Sequence, residues 1–331
     1  MSALLAAGIP SPPTNGFQIG AFEIHYYALC ILTGIVIAAT VAGRRLKARG
    51  IEGGKIVDIA IWAVPIALVG GRFYHVFTHP GDYFSAGDNL WNVFALWEGG
   101  LAIYGSILAG SVGAWIGSRR AGVRFSDFAD SVAPGMLFAQ AFGRLGNYFN
   151  QELFGPPTTW PWGLQISTSS PHFPPGTPPG TLFQPLFLYE LIWDTIGGIL
   201  IIVLGRRFRL PRGVPVGMYF LWYGAGRAYL EVIRLDPTEL TIGGVKANTL
   251  AAIIGAILGL LIIIWSVRRD RERLRSGTTT AESPDAAPAA TAGASAEASS
   301  DGVVRSDETH DSAPMDSEHT VASSPPGRPA D

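Results

Sequence analysis

Seven apolar runs, at roughly residues 23–43, 57–77, 100–118, 126–143, 184–205, 214–232 and 248–267, limit what this chain can fold into. A helix of about 20 mostly apolar residues crosses the hydrocarbon core of a bilayer. The runs therefore predict an all-α, polytopic membrane protein with seven transmembrane helices. Some runs are rich in small residues, as in the stretch GSILAGSVGAWIG from Gly105 to Gly117. Small residues let helices approach closely in lipid, where apolar burial gives little drive for association. The chain is only 15% charged, against about a quarter in soluble domains. A net charge of −2 gives no basic surface for nucleic acid.

Basic residues set the orientation. Clusters follow the first run (RRLKARGIEGGK), the third (RRAGVR), the fifth (RRFRLPR) and the seventh (RRDRERLR), and hold 17 of the 24 lysines and arginines. By the positive-inside rule these connections are cytoplasmic. The N-terminus is then outside and the C-terminus inside. The loops near 80–98, 144–183 and 235–247 face outward, with 144–183 as a small extracytoplasmic head. That loop holds FGPPTTWPWG and PHFPPGTPPG, and its proline content predicts a rigid, extended surface. The first stretch, MSALLAAGIPSPP, has no basic segment and a short apolar one, so it is not read as a cleaved signal peptide. Residues 1–270 form the transmembrane domain. Residues 271–331 form an acidic cytoplasmic tail, in which Ala, Ser, Thr, Pro, Asp and Glu dominate. Such a composition cannot offset its ordering entropy and predicts disorder.

Two basic residues lie in the tail. Five remain, Arg72, Arg144, Arg227, Arg234 and Lys246, all in the membrane or at its outer boundary. Charge there is expensive and usually faces a polar interior. For Arg72 and Lys246 snorkelling or structural pairing is an equal reading. The other three have polar company. Tyr223, Arg227, Glu231 and Arg234 are spaced four, four and three apart, on one helical face. The stretch AFGRLGNYFNQELFG closes the fourth run and sets Arg144 and Asn147 at the same depth as the end of the sixth. Tyr26, Tyr27, Tyr104 and Glu190 begin other runs near that face. Several arginines with few nearby carboxylates suit an anion, and the guanidinium fork matches phosphate oxygens. At headgroup depth the simplest such ligand is an anionic phospholipid. The pairs Gly70–Gly71 and Gly99–Gly100 fit either close backbone approach or helix packing.

Other residues add less. Cys30 is alone, so neither a disulfide nor a zinc site can be built from it. His25, His75, His79 and His172 have no metal-site spacing, and no metal or cofactor is expected. Trp62, Trp97, Trp160 and Trp222 suit interfacial belts and core packing. An anion transporter and a scaffold of paired charges also accommodate buried arginines. Transporters often carry internal repeats, and none is evident among the seven runs.

The motif GRLGNYFNQELFG resembles the signature of the bacterial phosphatidylglycerol–prolipoprotein diacylglyceryl transferases. HYYAL, GGRFYHV, WEGGLAIYG, FQPLFLYE and WYGAGRAYLEVIRLDP agree with that family in order, over roughly residues 17–267. The resemblance implies a seven-helix enzyme of the bacterial plasma membrane that uses no cofactor. Its partners would be phosphatidylglycerol and the lipobox peptide of a preprolipoprotein. It would move a diacylglyceryl group to the lipobox cysteine thiol and release glycerol 1-phosphate. By position, Arg144, Asn147, Arg227 and Tyr27 match the family's functional residues, Gly155 closes the motif and is taken with them as a substrate contact, and Glu231 lies one turn beyond Arg227. Arg72 is added as a further substrate contact. Many relatives carry histidine where this chain has Tyr104, and again where it has Gln184. Tyrosine titrates near 10 and histidine near 6.5 when unperturbed. The expected catalytic set is therefore Arg144, Arg227, Tyr27 and Tyr104, without a histidine base at position 104.

Overall fold

A computed structural model describes residues 8–20, 22–84, 89–95, 99–235 and 241–277. The expected tail lies outside the described residues beyond Gly277, as does Trp97. The described chain is mostly helical. After a hairpin of β1 (Gly16–Ile19) and β2 (Phe22–His25) come α1 (Tyr26–Lys47), α2 (Lys55–Thr78), α3 (Ile103–Arg120), α4 (Phe125–Phe149), α5 (Leu186–Arg207), α6 (Val214–Val232) and α7 (Ala247–Arg275). Each helix coincides with one apolar run. Four of them, α1, α2, α5 and α7, are long and apolar enough to cross a membrane. Helices α4 and α6 carry Asp127, Asp130, Arg144, Arg227 and Glu231, which lower their hydropathy. Outward side chains are apolar: Val36, Ile61, Phe77, Leu108 and Leu261 are each more than half exposed. A surface this continuously apolar suits lipid rather than water.

Small residues set the helix pairs. On α3, Gly105, Ala109, Gly113 and Gly117 recur every four residues and so share a face. That face packs on α2, where a side chain at Gly113 would meet the Trp62 carbonyl at 2.8 Å and one at Gly117 the Ile59 Cα at 2.9 Å. Gly70 and Gly71 press on Ala109 and Ser106 in the same seam, so this pair serves helix packing. Gly34 meets Ala139 between α1 and α4, and Gly217 meets Gly259 between α6 and α7. Helix α5 joins α6 through stacked indoles of Trp193 and Trp222, 4.4 Å apart. Each indole N–H donates to the other residue's carbonyl, at 3.0 and 2.9 Å. Gly197 and Gly226 leave room for these rings. The reciprocal bonds fix the axial register of α5 against α6, on which the site depends.

The segment between α4 and α5 differs from the rigid, extended surface expected from its prolines. The strand β3 (Leu164–Gln165) pairs with β4 (Leu182–Phe183), and Ile9 bridges to Leu164. Leu153, Phe154, Leu164, Ile166, Phe183, Leu186 and Phe187 form a buried cluster. Apolar residues spaced between the prolines give this segment a core of its own. A third hairpin, β5 (Thr241–Ile242) with β6 (Val245–Lys246), precedes α7.

Candidate active site

The polar residues converge where α4 ends, α5 begins and α6 ends. Glu190, in the first turns of α5, is 4% exposed and lies between two arginines from different helices. Arg144 Nε of α4 is 2.5 Å from Glu190 Oε2, and Arg227 Nη1 of α6 is 3.2 Å from Oε1. Arg227 Nη2 also sits 2.5 Å from Oε2 of Glu231, one turn along α6 and 1% exposed. Arg234 Nη1 reaches the same oxygen at 3.9 Å. The face of α6 expected from spacing is thus an array of alternating charge.

This corrects one expectation. The spacing on α6 predicts that Glu231 pairs with Arg227 and Arg234, as found, but few carboxylates are expected near the arginines, and Glu190 brings a further one that neutralises much of their charge. The reason is burial, since unpaired guanidinium groups in a dry interior are far costlier than paired ones. Asp194, one turn beyond Glu190 on α5, is 2% exposed and within electrostatic reach of both arginines. Its Oδ2 has no hydrogen-bond partner among the described residues.

The network continues in both directions. Arg144 Nη1 lies 3.5 Å from Asn147 Oδ1, and Asn147 Nδ2 donates to Glu152 Oε1 at 2.7 Å. Asn150 Nδ2 donates to that oxygen at 3.2 Å. Glu152 is turned back towards α4 by an abrupt reversal, in which Gln151 (φ 55°) and Leu153 (φ 62°) occupy the left-handed region. This region is unfavourable for side chains other than glycine and costs roughly 1–2 kcal/mol per residue. Burial of Leu153 in the head core helps to offset it. On the other side, Asn248 Nδ2 of α7 donates to Glu231 Oε1 at 3.3 Å, and Tyr104 Oη of α3 donates to Asn248 Oδ1 at 3.0 Å. Tyr104 itself is 41% exposed on the bundle surface.

The remaining expected residues fall in three places. Tyr27 packs its ring on Gly146, where a Cβ would meet it at 2.6 Å, and lies within electrostatic reach of Arg144 and Glu152. Gly155 is a joint: its N–H donates to the Gln184 carbonyl at 2.8 Å, and a side chain there would strike Leu186 and the Ile233 carbonyl. Arg72 stands apart. Its Nε donates to the Val93 carbonyl at 2.9 Å and its Nη1 to the Gly99 carbonyl at 2.6 Å, while Nη2 binds the Asn92 carbonyl. The guanidinium also covers the Tyr83 ring, 4.9 Å from its centroid. The backbone of Gly99 and Gly100 has positive φ (86° and 67°), which turns their carbonyls towards Arg72. In this arrangement Arg72 holds the loop around Asn92, Val93 and Gly99, apart from the Glu190 cluster. Lys246 is also structural, donating to the Glu231 and Arg234 carbonyls at the end of α6, at 3.3 and 3.0 Å.

Arg144, Asn147, Arg227, Glu231 and Tyr104 are therefore linked, with Tyr27 beside them. Sequence reasoning gave no role to Glu190, Asn248 or Glu152. A carboxylate opening an apolar helix was a signal for Glu190, and Glu152 lies inside the motif. Asn248 had no signal.

The family model for prolipoprotein diacylglyceryl transferase matches residues 15–265. The phosphatidylglycerol–prolipoprotein diacylglyceryl transferase of Leifsonia xyli subsp. xyli is 51% identical over 273 residues, covering 80% of this chain and 82% of the relative. The enzyme of the same name from Paenarthrobacter aurescens is 44% identical, covering 84% of this chain and 88% of its own. That from Mycobacteroides abscessus is 45% identical, covering 79% and 80%. This chain belongs to the prolipoprotein diacylglyceryl transferase family.

Proposed function

We propose that the protein transfers the diacylglyceryl group of phosphatidylglycerol to the lipobox cysteine thiol of a preprolipoprotein, releasing glycerol 1-phosphate. The observation that carries this reading is the meeting of Arg144 and Arg227 on the single carboxylate of Glu190. Two guanidinium groups that hold one anion between them can also receive a phosphodiester. Family membership and the names of the relatives support the same reaction.

In this reading the lipid phosphate takes guanidinium N–H groups that Glu190 and Glu231 leave available, while those carboxylates hold the arginines in place. The cysteine sulfur attacks the glycerol carbon that bears the phosphate ester. The new C–S bond forms as the C–O bond breaks, and the departing phosphate oxygen keeps the electron pair. Arg144 and Arg227 stabilise the charge on it, each worth on the order of 2–4 kcal/mol by analogy with oxyanion donors. Asn147, fixed by Glu152, orients the headgroup. Tyr27 offers its hydroxyl to the phosphate or thiol, Tyr104 holds Arg227 in place through Asn248 and Glu231, and the thiol proton passes to solvent or to the released phosphate. Gly155 and Glu231 shape the site, and no metal or cofactor takes part.

The seven helices span the plasma membrane of a bacterium, with the N-terminus outside and residues 271–331 as a cytoplasmic tail. Residues 1–270 make the transferase domain and 144–183 its outer head. Two observations support this topology. Helices α1, α3, α5 and α7 all have basic residues in their last turn. Glu190 and Arg206 are about 24 Å apart along α5 at helical rise, close to the depth of a bilayer core.

The test is to incubate the purified protein with phosphatidylglycerol and a synthetic lipobox peptide and to weigh the peptide. A gain equal to one diacylglyceryl group is expected. An unmodified peptide, with insertion and folding intact, sinks the proposal.

A further inference from the structure

The end of the bundle remote from Glu190 holds a second charged site that the transferase reaction does not use. A cleft of about 1370 Å³ opens between the C-terminal ends of α1 and α5. Its lining includes eight arginines and one carboxylate, Asp127. Arg44, Arg45 and Arg49 come from α1 and the turn after it, Arg124 from the start of α4, and four more from the segment between Arg206 and Arg212.

The local carboxylates already have partners. Asp127 Oδ1 pairs with Arg49 at 3.0 Å and Arg212 at 3.1 Å. Asp130, fully buried behind the cleft, accepts from the backbone of Gly213 and Val216 at the start of α6, and its Oδ2 lies 3.4 Å from Arg49. It thereby satisfies orphan N–H groups at a helix start. Arg45 lies between the helices. Its Nη2 donates to the Asp130 carbonyl at 3.3 Å, and its Nε is buried without a hydrogen-bond partner among the described residues. Clustered arginines of this number create a strongly positive potential that draws counter-charge.

The walls say what kind of counter-charge. Val41 is one turn from Arg45 towards the middle of the bundle, and Ile202 is one turn from Arg206. Both line the cleft. A ligand that is phosphate at one end and hydrocarbon at the other matches both. We propose that this cleft binds the headgroup of an anionic phospholipid from the leaflet at this end, with an acyl chain along Val41 and Ile202. This is distinct from the lipid consumed at Arg144 and Arg227, about a bilayer core away.

Native mass spectrometry of the full chain with phosphatidylserine or neutral phosphatidylcholine tests it, since neither lipid has the glycerol headgroup of the proposed substrate. Wild type is expected to retain phosphatidylserine and not phosphatidylcholine. An arginine at an anionic surface is worth roughly a fivefold change in binding, so the R206Q/R209Q variant should lose more than about tenfold. The R206K/R209K variant should keep most of the binding. R206Q/R209Q should also transfer lipid like wild type, showing that it is folded. Equal retention of the two lipids, or no loss in R206Q/R209Q, overturns the proposal. Displacement by millimolar inorganic phosphate alone also overturns it, in favour of a free-anion site. The tail between Glu282 and Asp331 has ten acidic residues and is the rival occupant. If phosphatidylserine binds only to a full-length variant with those acids replaced by amides, the tail fills the cleft and the lipid proposal fails.

Discussion

Arg72 and the Arg144–Arg227 pair lie at the same end of this bundle and are all largely buried, yet their partners differ in kind. Arg72 is held by backbone carbonyls of Asn92, Val93 and Gly99. Arg144 and Arg227 are held by the carboxylates of Glu190 and Glu231. A carbonyl cage spends the guanidinium on folding a loop, and its dipoles cannot be exchanged for a ligand without undoing that loop. A shared carboxylate holds two guanidinium groups at a spacing already suited to an anion. We propose that the chemistry of the partner, rather than depth in the membrane, separates a structural arginine from a substrate-binding one.

The largest effect that bears on this comparison is loss of either member of the pair. R144A and R227A should each lower lipid transfer by about a hundredfold to a thousandfold, measured on protein that still inserts and folds. Near-normal activity in both would place them with Arg72 as structural groups. It would also revive the scaffold reading, in which the charges only pair.

Glu190 offers a finer test. E190Q keeps both arginines but removes their common anion. The lipid phosphate then meets more uncompensated positive charge, so KM for phosphatidylglycerol should fall. The guanidinium groups also lose their fixed spacing, so kcat should drop by about tenfold to a hundredfold, the range expected for small misplacements. A rise in KM with unchanged kcat would mean that Glu190 contacts the substrate rather than the arginines. For Arg72 the comparison predicts the opposite division. R72Q leaves several carbonyls without their donor, at a cost of about 1–3 kcal/mol for each one left dry. The melting temperature should fall by several degrees, while molecules that remain folded transfer lipid at nearly the normal rate. Unchanged stability with lost transfer would move Arg72 into the active site.

How much of this was legible depends on the range of the contacts. The seven helices follow from hydropathy alone, because the signal lies within each run. Arg227, Glu231 and Arg234 were readable as one face because spacing along a helix is local information. The role of Glu190 was not readable, since it depends on how α4, α5 and α6 rotate against one another. Between α5 and α6 that rotation is fixed by Trp193 stacking on Trp222 through gaps left by Gly197 and Gly226, a detail without a periodic signature. The two-residue strands β3 to β6 are too short to produce an alternating pattern. In the arginine cleft the charge is legible in the basic clusters after α1 and α5, while the cavity between these helices comes only from the packing. Gly155 was identifiable through its motif, but its part in joining α4 to α5 and α6 required the fold.

The smallest expected effect concerns Tyr104. Tyr104 Oη donates a hydrogen bond to Asn248 Oδ1, and Asn248 Nδ2 donates one to Glu231, which pairs with Arg227. In the proposed mechanism this chain of hydrogen bonds lets the tyrosine position Arg227 from a distance. Removing one such hydrogen bond is worth about 0.5–1.5 kcal/mol, or roughly a twofold to tenfold loss of transfer. Y104F and N248A should each fall in that range. The double variant should be little worse than either single one, because residues in one network do not contribute additively. A loss far beyond tenfold in Y104F with N248A unaffected would contradict this. It would mean that the hydroxyl acts directly on the thiol or phosphate, so that Tyr104 carries chemistry rather than holding Arg227 in place.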